Sequence, residues 1–254
     1  MKPIIFNTEM VRAILDGRKT VTRRVVKPQP GRVYTGGNVE LRRHTDGPHK
    51  GEWHCYRESP PLDKWTKRPW GGQIKPPYQV GDVLYVRETW KSATGDYSYG
   101  GYGLFDTYVY KADGKAKEDY PVYSLMVEER WRPSIHMPKE AARIFLRVTD
   151  VRAERLQSID EDGAIAEGCV PVACPDCYGF GGRCPYCNGT GAIEPAMLDF
   201  VDTWNFTIKK KDLPLYDWEA NPWVWAIEFE RMEAKLFKMG HRGGDDDDKA
   251  HQSH

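Results

Sequence analysis

The sequence predicts a mainly β, α+β fold: a small, partly closed β-barrel with a few helices packed on it. Three observations predict it. Short runs of β-branched and aromatic residues recur along the chain, separated by long connections. Helical periodicity is confined to three short stretches. The 254 residues are 40% hydrophobic, with nine Trp and fourteen Tyr, enough to build the core of one large or two small domains and to exclude a mostly disordered chain. No run approaches the roughly eighteen uncharged apolar residues of a membrane span. The first seven residues are too few and too polar for a secretory h-region, so a soluble, cytoplasmic protein is expected. Basic and acidic side chains balance at 37 each, which excludes a uniformly basic nucleic-acid coat.

The elements follow in order. Thr8 is placed to cap a helix in which Met10, Val11, Ile14 and Leu15 share one face, and Gly17 is placed to end it. Strand-like sequence continues through Val21, Val25 and Val26. Residues 29–80 shift to Pro, Gly, Trp and charge with little periodicity, predicting a long irregular insertion with one hairpin near 32–41. The Gly81-Asp82 turn opens a strand over 83–88, and a Gly/Tyr-rich loop over 95–103 leads to another over 107–110. Residues 143–156 alternate Ile144, Leu146 and Val148 against Arg147 and Thr149. Ser158 and Glu161 form a capping box for a helix over 159–167 that Gly168 closes. A further helix is predicted over 194–205. After Asn221-Pro222, a last strand over 223–229 places Trp223, Trp225, Ile227 and Phe229 on one face, as core. Residues 240–254 contain four Asp followed by Lys; whether an engineered recognition sequence or a natural acidic tail, they are expected to be disordered.

Two constellations carry chemistry. Cys174, Cys177, Cys184 and Cys187 stand in two C-x-x-C-x-G-x-G halves, residues 174–181 and 184–191. Two such knuckles present four thiolates tetrahedrally, and the glycines let backbone amides turn towards the sulfurs. One structural Zn2+ held by all four is expected, because a closed four-thiolate site has no open position for catalysis. Each half resembles the zinc-binding repeats of DnaJ-type chaperones. Cys55 and Cys169 have no evident pairing partner.

The second constellation starts at Gly17-Arg18-Lys19-Thr20-Val21-Thr22-Arg23-Arg24. Residues 1–28 hold seven basic side chains against two acidic, and the cluster lies at a helix-to-strand corner. One reading is a solvated charged strand. The other is a cleft in which neighbouring guanidinium groups depress the pKa of Lys19, as a lysine base requires. Glu167, in the last turn before Gly168, sits where the helix dipole disfavours an anion and needs a cation nearby; Lys19 is the candidate.

Residues 17–22, the strand 81–88, the segment Pro133-Ser134-Ile135-His136-Met137-Pro138, residues 143–168 and Asn221-Pro222-Trp223-Val224-Trp225 together resemble an ASCH-domain protein of the phage and prophage type. The resemblance spans most of residues 1–232, and it implies one PUA-like β-barrel domain in which 29–80 and 173–191 are insertions. It also implies recognition of RNA or modified nucleobases, and for a small bacterial member type, hydrolysis of N4-acylcytidine to cytidine. By that resemblance Thr22 is the nucleophile, Lys19 takes its proton and Glu167 orients the lysine or passes a proton to the leaving amine. Lys19 and Thr22 would face opposite ways on a regular strand, so 17–22 must contain a turn or bulge. The chain is more than twice as long as that small enzyme.

Arg18, Arg23, Arg87, Trp90 and His136 are candidate substrate-binding residues, since an aromatic plate with a cation and an imidazole holds unstacked bases. Trp90 and His136 also read as ordinary core and loop residues. The expected partner is a modified nucleoside or single-stranded nucleic acid, with catalysis or binding alone as the two outcomes and a protein partner docking on the zinc knuckle as a third. Without residues 240–254 the chain holds 35 basic and 33 acidic groups. Neutrality therefore excludes an unselective polyanion binder but not a local cationic pocket.

Overall fold

The computed structural model describes residues 1–30, 39–57, 73–96, 104–114 and 124–232. In chain order its elements are β1 (Lys2–Ile5), α1 (Thr8–Leu15), β2 (Val21–Val25), β3 (Val39–Arg43), β4 (Trp53–Arg57), β5 (Val83–Arg87), β6 (Trp90–Asp96), β7 (Leu104–Tyr110), β8 (Ser124–Val127), β9 (Phe145–Arg155), α2 (Glu161–Ala166), β10 (Val172–Ala173), β11 (Ala192–Glu194), α3 (Ala196–Thr207), α4 (Leu213–Tyr216) and β12 (Trp223–Arg231). Strands predominate and helices are few, as expected of an α+β chain. Among the described residues no closed barrel forms. No helix is long and apolar enough to cross a membrane. The chain divides into two compact units, each described by itself.

The first unit comprises Met1–Thr8, Val83–Arg147 and the segment from Glu230. β1 runs parallel to β5, from Lys2 opposite Leu84 to Ile5 opposite Arg87, and β5 pairs antiparallel with the start of β9. Ile4, Phe6, Leu84, Val86 and Leu146 are buried between them. A second sheet has the order β7-β6-β8; the sequence reading assigns no element to β8 or to most of β6, and the loop predicted over 95–103 overlaps the end of β6. Glu88, 1% exposed, accepts two hydrogen bonds from Arg143 at 3.0 Å each, and Arg143 also donates to Asp113 at 2.7 Å. Burial pushes the Glu88 carboxyl up and Arg143 pulls it back, so this network is a paired internal charge rather than an orphan.

The second unit comprises Glu9–Asp82 and Val148–Phe229. Here β9 continues, and the order is β9-β12-β2. β12 pairs antiparallel with β2, from Val224 opposite Val25 to Glu228 opposite Val21. Its residues Trp223 to Ile227 are buried without interruption. The one-faced alternation predicted for β12 is therefore only half of its burial, because Val224 and Ala226 pack on the other face as in any strand covered on both sides. Val224 joins Leu156, Ile159, Ala164, Phe200 and Trp204 in one apolar cluster.

Several boundaries differ from expectation. The N-cap of α2 is Asp160, whose Oδ1 accepts from the Gly163 amide at 2.8 Å, while Ser158 ends a 3-10 turn. Glu161 instead accepts from the Ala196 and Met197 amides at 2.6 and 3.1 Å, satisfying the free N–H groups that start α3. Within the segment predicted to be irregular, β3 and β4 form an antiparallel hairpin; residues 31–38, where that turn was expected, lie outside the described residues, as do 97–103 and the 240–254 tail.

Candidate functional site

Two sites are built within the second unit. β10 and β11 form an antiparallel ribbon, Val172 opposite Glu194 and Ala173 opposite Ala192, that closes the base of the cysteine module. The four sulfurs lie within 4.8 Å of one another, with Cys174 to Cys184 at 3.8 Å and Cys177 to Cys187 at 3.7 Å. Four thiolates about 2.3 Å from a tetrahedral zinc stand roughly 3.8 Å apart, so the residues fit one such ion. The Gly191 amide donates to Cys187 Sγ at 3.3 Å and the Cys174 amide to the Gly191 carbonyl at 2.8 Å. Gly189 adopts φ +82°, and a Cβ there would stand 2.3 Å from the Gly182 oxygen, so only glycine permits this crossing of the two halves. Burial pushes the Cys174 thiol up to about 11. At Cys187 burial acts the same way but is outweighed by the Gly191 amide and the neighbouring Cys177 and Cys184, which hold it at about 6. A divalent cation would bind all four as thiolates and release the protons they carry.

The cationic corner is the second site. Asp16 and Gly17 make a turn after α1, with φ +76° at Gly17, and β2 begins only at Val21. Lys19 therefore lies outside the regular strand, which lifts the opposite-face constraint on Lys19 and Thr22. Its side chain is fully buried and Nζ donates to Glu167 Oε2 at 2.5 Å, to the Glu167 carbonyl at 2.6 Å and to the Val21 carbonyl at 2.8 Å. Three acceptors use all three donors of an ammonium group. Burial draws the Lys19 pKa below its usual 10.5, Glu167 opposes that shift, and Arg24 adds to it.

Glu167 is the C-cap of α2, and Gly168 at φ +94° turns the chain away. A Cβ at Gly168 would stand 2.7 Å from Ala13 Cβ and 3.1 Å from Lys19 Cβ, so the glycine permits α1 to press against the site. The other Glu167 oxygen lies 3.4 Å from Arg23 Nη1, and Arg23 Nε donates to Glu154 at 2.8 Å. An anion at a helix C-terminus is thereby compensated by two buried cations, as its position requires.

Thr22, Arg23, Arg24, Glu167 and Cys169 line a cavity of about 40 Å³ roofed by Phe200, Thr203 and Trp204 of α3. Thr22 is 2% exposed. The space holds about one water molecule and is far below the roughly 300 Å³ of ordinary ligand pockets. Cys169, which the sequence leaves without a role, has its thiol pushed up to about 12 by burial and by Asp199 and Glu167.

Lys19 does not itself line this cavity and meets it through Glu167, and the remaining candidates do not line it either. Arg18 donates to the Gly168 carbonyl at 2.9 Å and to Asp16 at 3.0 Å, bracing the turn. Arg87, Trp90 and His136 belong to the first unit. Arg87 clamps the Met137 and Ile135 carbonyls at 2.9 and 2.5 Å, Trp90 is 4% exposed in a cluster with Tyr110, Met137 and Ala141, and His136 is exposed in a 3-10 turn. Arg24, which the sequence places in the basic cluster without a role of its own, lines the cavity on the Thr22 side of the β2 alternation; Glu154 is an addition that nothing local in the sequence marks.

No family model, no curated protein and no solved structure matches this chain.

Proposed function

We propose that the Lys19, Thr22 and Glu167 site hydrolyses the amide of N4-acylated cytidine-type nucleosides or nucleotides, in a cytoplasmic protein of the ASCH type with a PUA-like fold. The observation that carries this reading is the 2.5 Å contact between Lys19 and Glu167, two residues 148 positions apart, beside a cavity that Thr22 and Glu167 both line.

At rest Lys19 is an ammonium. With water excluded, its proton passes to Glu167, leaving an amine. Thr22 Oγ attacks the amide carbonyl and gives its proton to Lys19; the C–N bond breaks as the N4 amine takes a proton from the Lys19–Glu167 pair. Water then cleaves the Thr22 ester, releasing a carboxylic acid. Arg23 and Arg24 offset the negative charge that develops. Admission of a nucleoside requires Phe200 and Trp204 to move off β2. The four-cysteine centre holds Zn2+ as a structural staple, supplying no chemistry to this reaction.

A second reading, binding of RNA or modified nucleic acid without chemistry, is favoured by the knuckle's surface. Tyr178, Phe180 and Tyr186 are 81%, 91% and 61% exposed there, beside the exposed Arg183, and base stacking on aromatics with a nearby cation is how single strands are held. The same exposed aromatics would suit a protein partner.

A panel of N4-acylated cytidine, deoxycytidine and short oligonucleotides, assayed for binding and for release of cytidine and acid, tests both. Release by the native chain and none by Thr22→Val, which keeps the side chain's shape, supports hydrolysis. Salt-dependent binding without release supports the second reading, and neither signal removes both.

A further inference from the structure

The β3–β4 hairpin holds a second set of metal-type ligands. Its loop is tied by backbone bonds from His44 N to the Glu52 carbonyl at 2.9 Å, from Gly51 N to the His44 carbonyl at 2.8 Å and from Glu52 N to the His49 carbonyl at 2.9 Å. This compact turn brings His49 Nδ1 and His54 Nε2 each to 3.0 Å from the same oxygen, Glu52 Oε2, and one ligand atom of each residue lies within 4.8 Å of the others. His44 adds a third imidazole, its ring centroid 4.8 Å from that of His54 and 5.7 Å from that of His49, with its Nε2 held by the Tyr56 hydroxyl at 2.8 Å.

Hydrogen bonding alone accounts poorly for this arrangement. His54 is 7% exposed, yet its Nδ1 has no hydrogen-bond partner among the described residues. That atom calls for a bound water, while the ring's other nitrogen, Nε2, is the one that meets Glu52. A divalent cation accounts for the convergence of His49 Nδ1, Glu52 Oε2 and His54 Nε2, three ligand atoms of the kinds such an ion takes, on one small space. Two of the three separations between ligand atoms are 3.0 Å and the third is within 4.8 Å, against roughly 3.4 Å around a tetrahedral ion with nitrogen and oxygen ligands at about 2.0–2.2 Å. Side-chain exposures of 53% for His49 and 35% for Glu52 leave an entry path.

We propose that His49, Glu52 and His54 bind a divalent first-row transition ion such as Zn2+, with a remaining coordination position filled by water. Two imidazoles and one carboxylate suit such an ion better than Ca2+ or Mg2+, which take oxygen ligands. The site differs from the cysteine centre in ligand chemistry and in having an open position.

Elemental analysis of the full chain equilibrated with Zn2+ tests this, with Co2+ spectra of the stripped chain as a second readout. The native chain is expected to hold two ions; His49→Ala and Glu52→Gln should each hold one, with the hairpin affinity weakened at least roughly tenfold. Cys184→Ser should keep the hairpin's Co2+ ligand-field bands while shifting and weakening those of thiolate coordination, since three thiolates remain. His49 is exposed, so its variant should unfold at the native temperature when metal-free. A single ion in the native chain, or two ions persisting in His49→Ala, would overturn the proposal. Both variants retain His241, His251 and His254, so an ion held by those residues would count against the hairpin site.

Discussion

The cysteine knuckle and the Lys19–Glu167 corner put buried polar groups together by opposite routes. In the knuckle all four ligands come from fourteen consecutive residues, and the glycines that let the halves cross lie within that stretch or within four residues of its end. The ligand set is local and its geometry follows from spacing. In the corner the lysine and carboxylate are separated by 148 residues, and meet because α2 ends at Gly168 against α1. The local site borrows little from the rest of the unit and the corner borrows nearly everything, so a perturbation should stay confined in one and spread in the other.

Metal removal should make the largest difference. Structural zinc contributes roughly 10–16 kcal/mol to comparable small sites. Chelation should therefore abolish amide-exchange protection across β10, β11 and residues 174–191 while leaving β2 and β12 protected. Uniform loss along the chain would show that the knuckle is not autonomous. Next, Glu167→Gln leaves the Lys19 ammonium buried without its counter-ion and should lower stability by about 3–5 kcal/mol in denaturant titrations; a loss no greater than that of an exposed pair such as Arg12–Glu9 would mean the corner is wetter than its burial indicates.

Gly168→Ala forces a side chain into φ +94° and against Ala13, and should cost roughly 1–3 kcal/mol by the same titration, with the knuckle's metal content unchanged. The smallest effect is on pH dependence. Because burial lowers the Lys19 pKa from 10.5, the unfolded chain binds that proton more tightly, so stability relative to Lys19→Met should rise as pH increases towards 10.5. A flat difference between the two chains across that window would show that Glu167 cancels the burial penalty.

How far the sequence could be read follows the same division. The C-x-x-C spacing marks the knuckle outright, and the β-branched runs mark β2, β5, β9 and β12, because both signals are local. Ser158 and Glu161 match a capping box, but Asp160 stands closer to the helix and wins the cap, which frees Glu161 to start α3. The hairpin histidines are hidden by composition: amid Pro, Gly and charge the stretch reads as irregular, and the pairing of Leu41 with Cys55 is a tertiary fact. Lys19 can be matched to Glu167 by the helix-dipole argument, whereas Glu154 as the partner of Arg23 has no local sign. The roof over Thr22 depends on where α3 packs, and no sequence period encodes that placement.

The most direct measurement is single-turnover release of cytidine from N4-acylcytidine by the native chain and by Thr22→Val, with melting temperatures and metal content checked to be equal. The account predicts release by the native chain and none above background by the variant. Equal release by both chains, or none by either when the nucleoside is shown to bind, would contradict it.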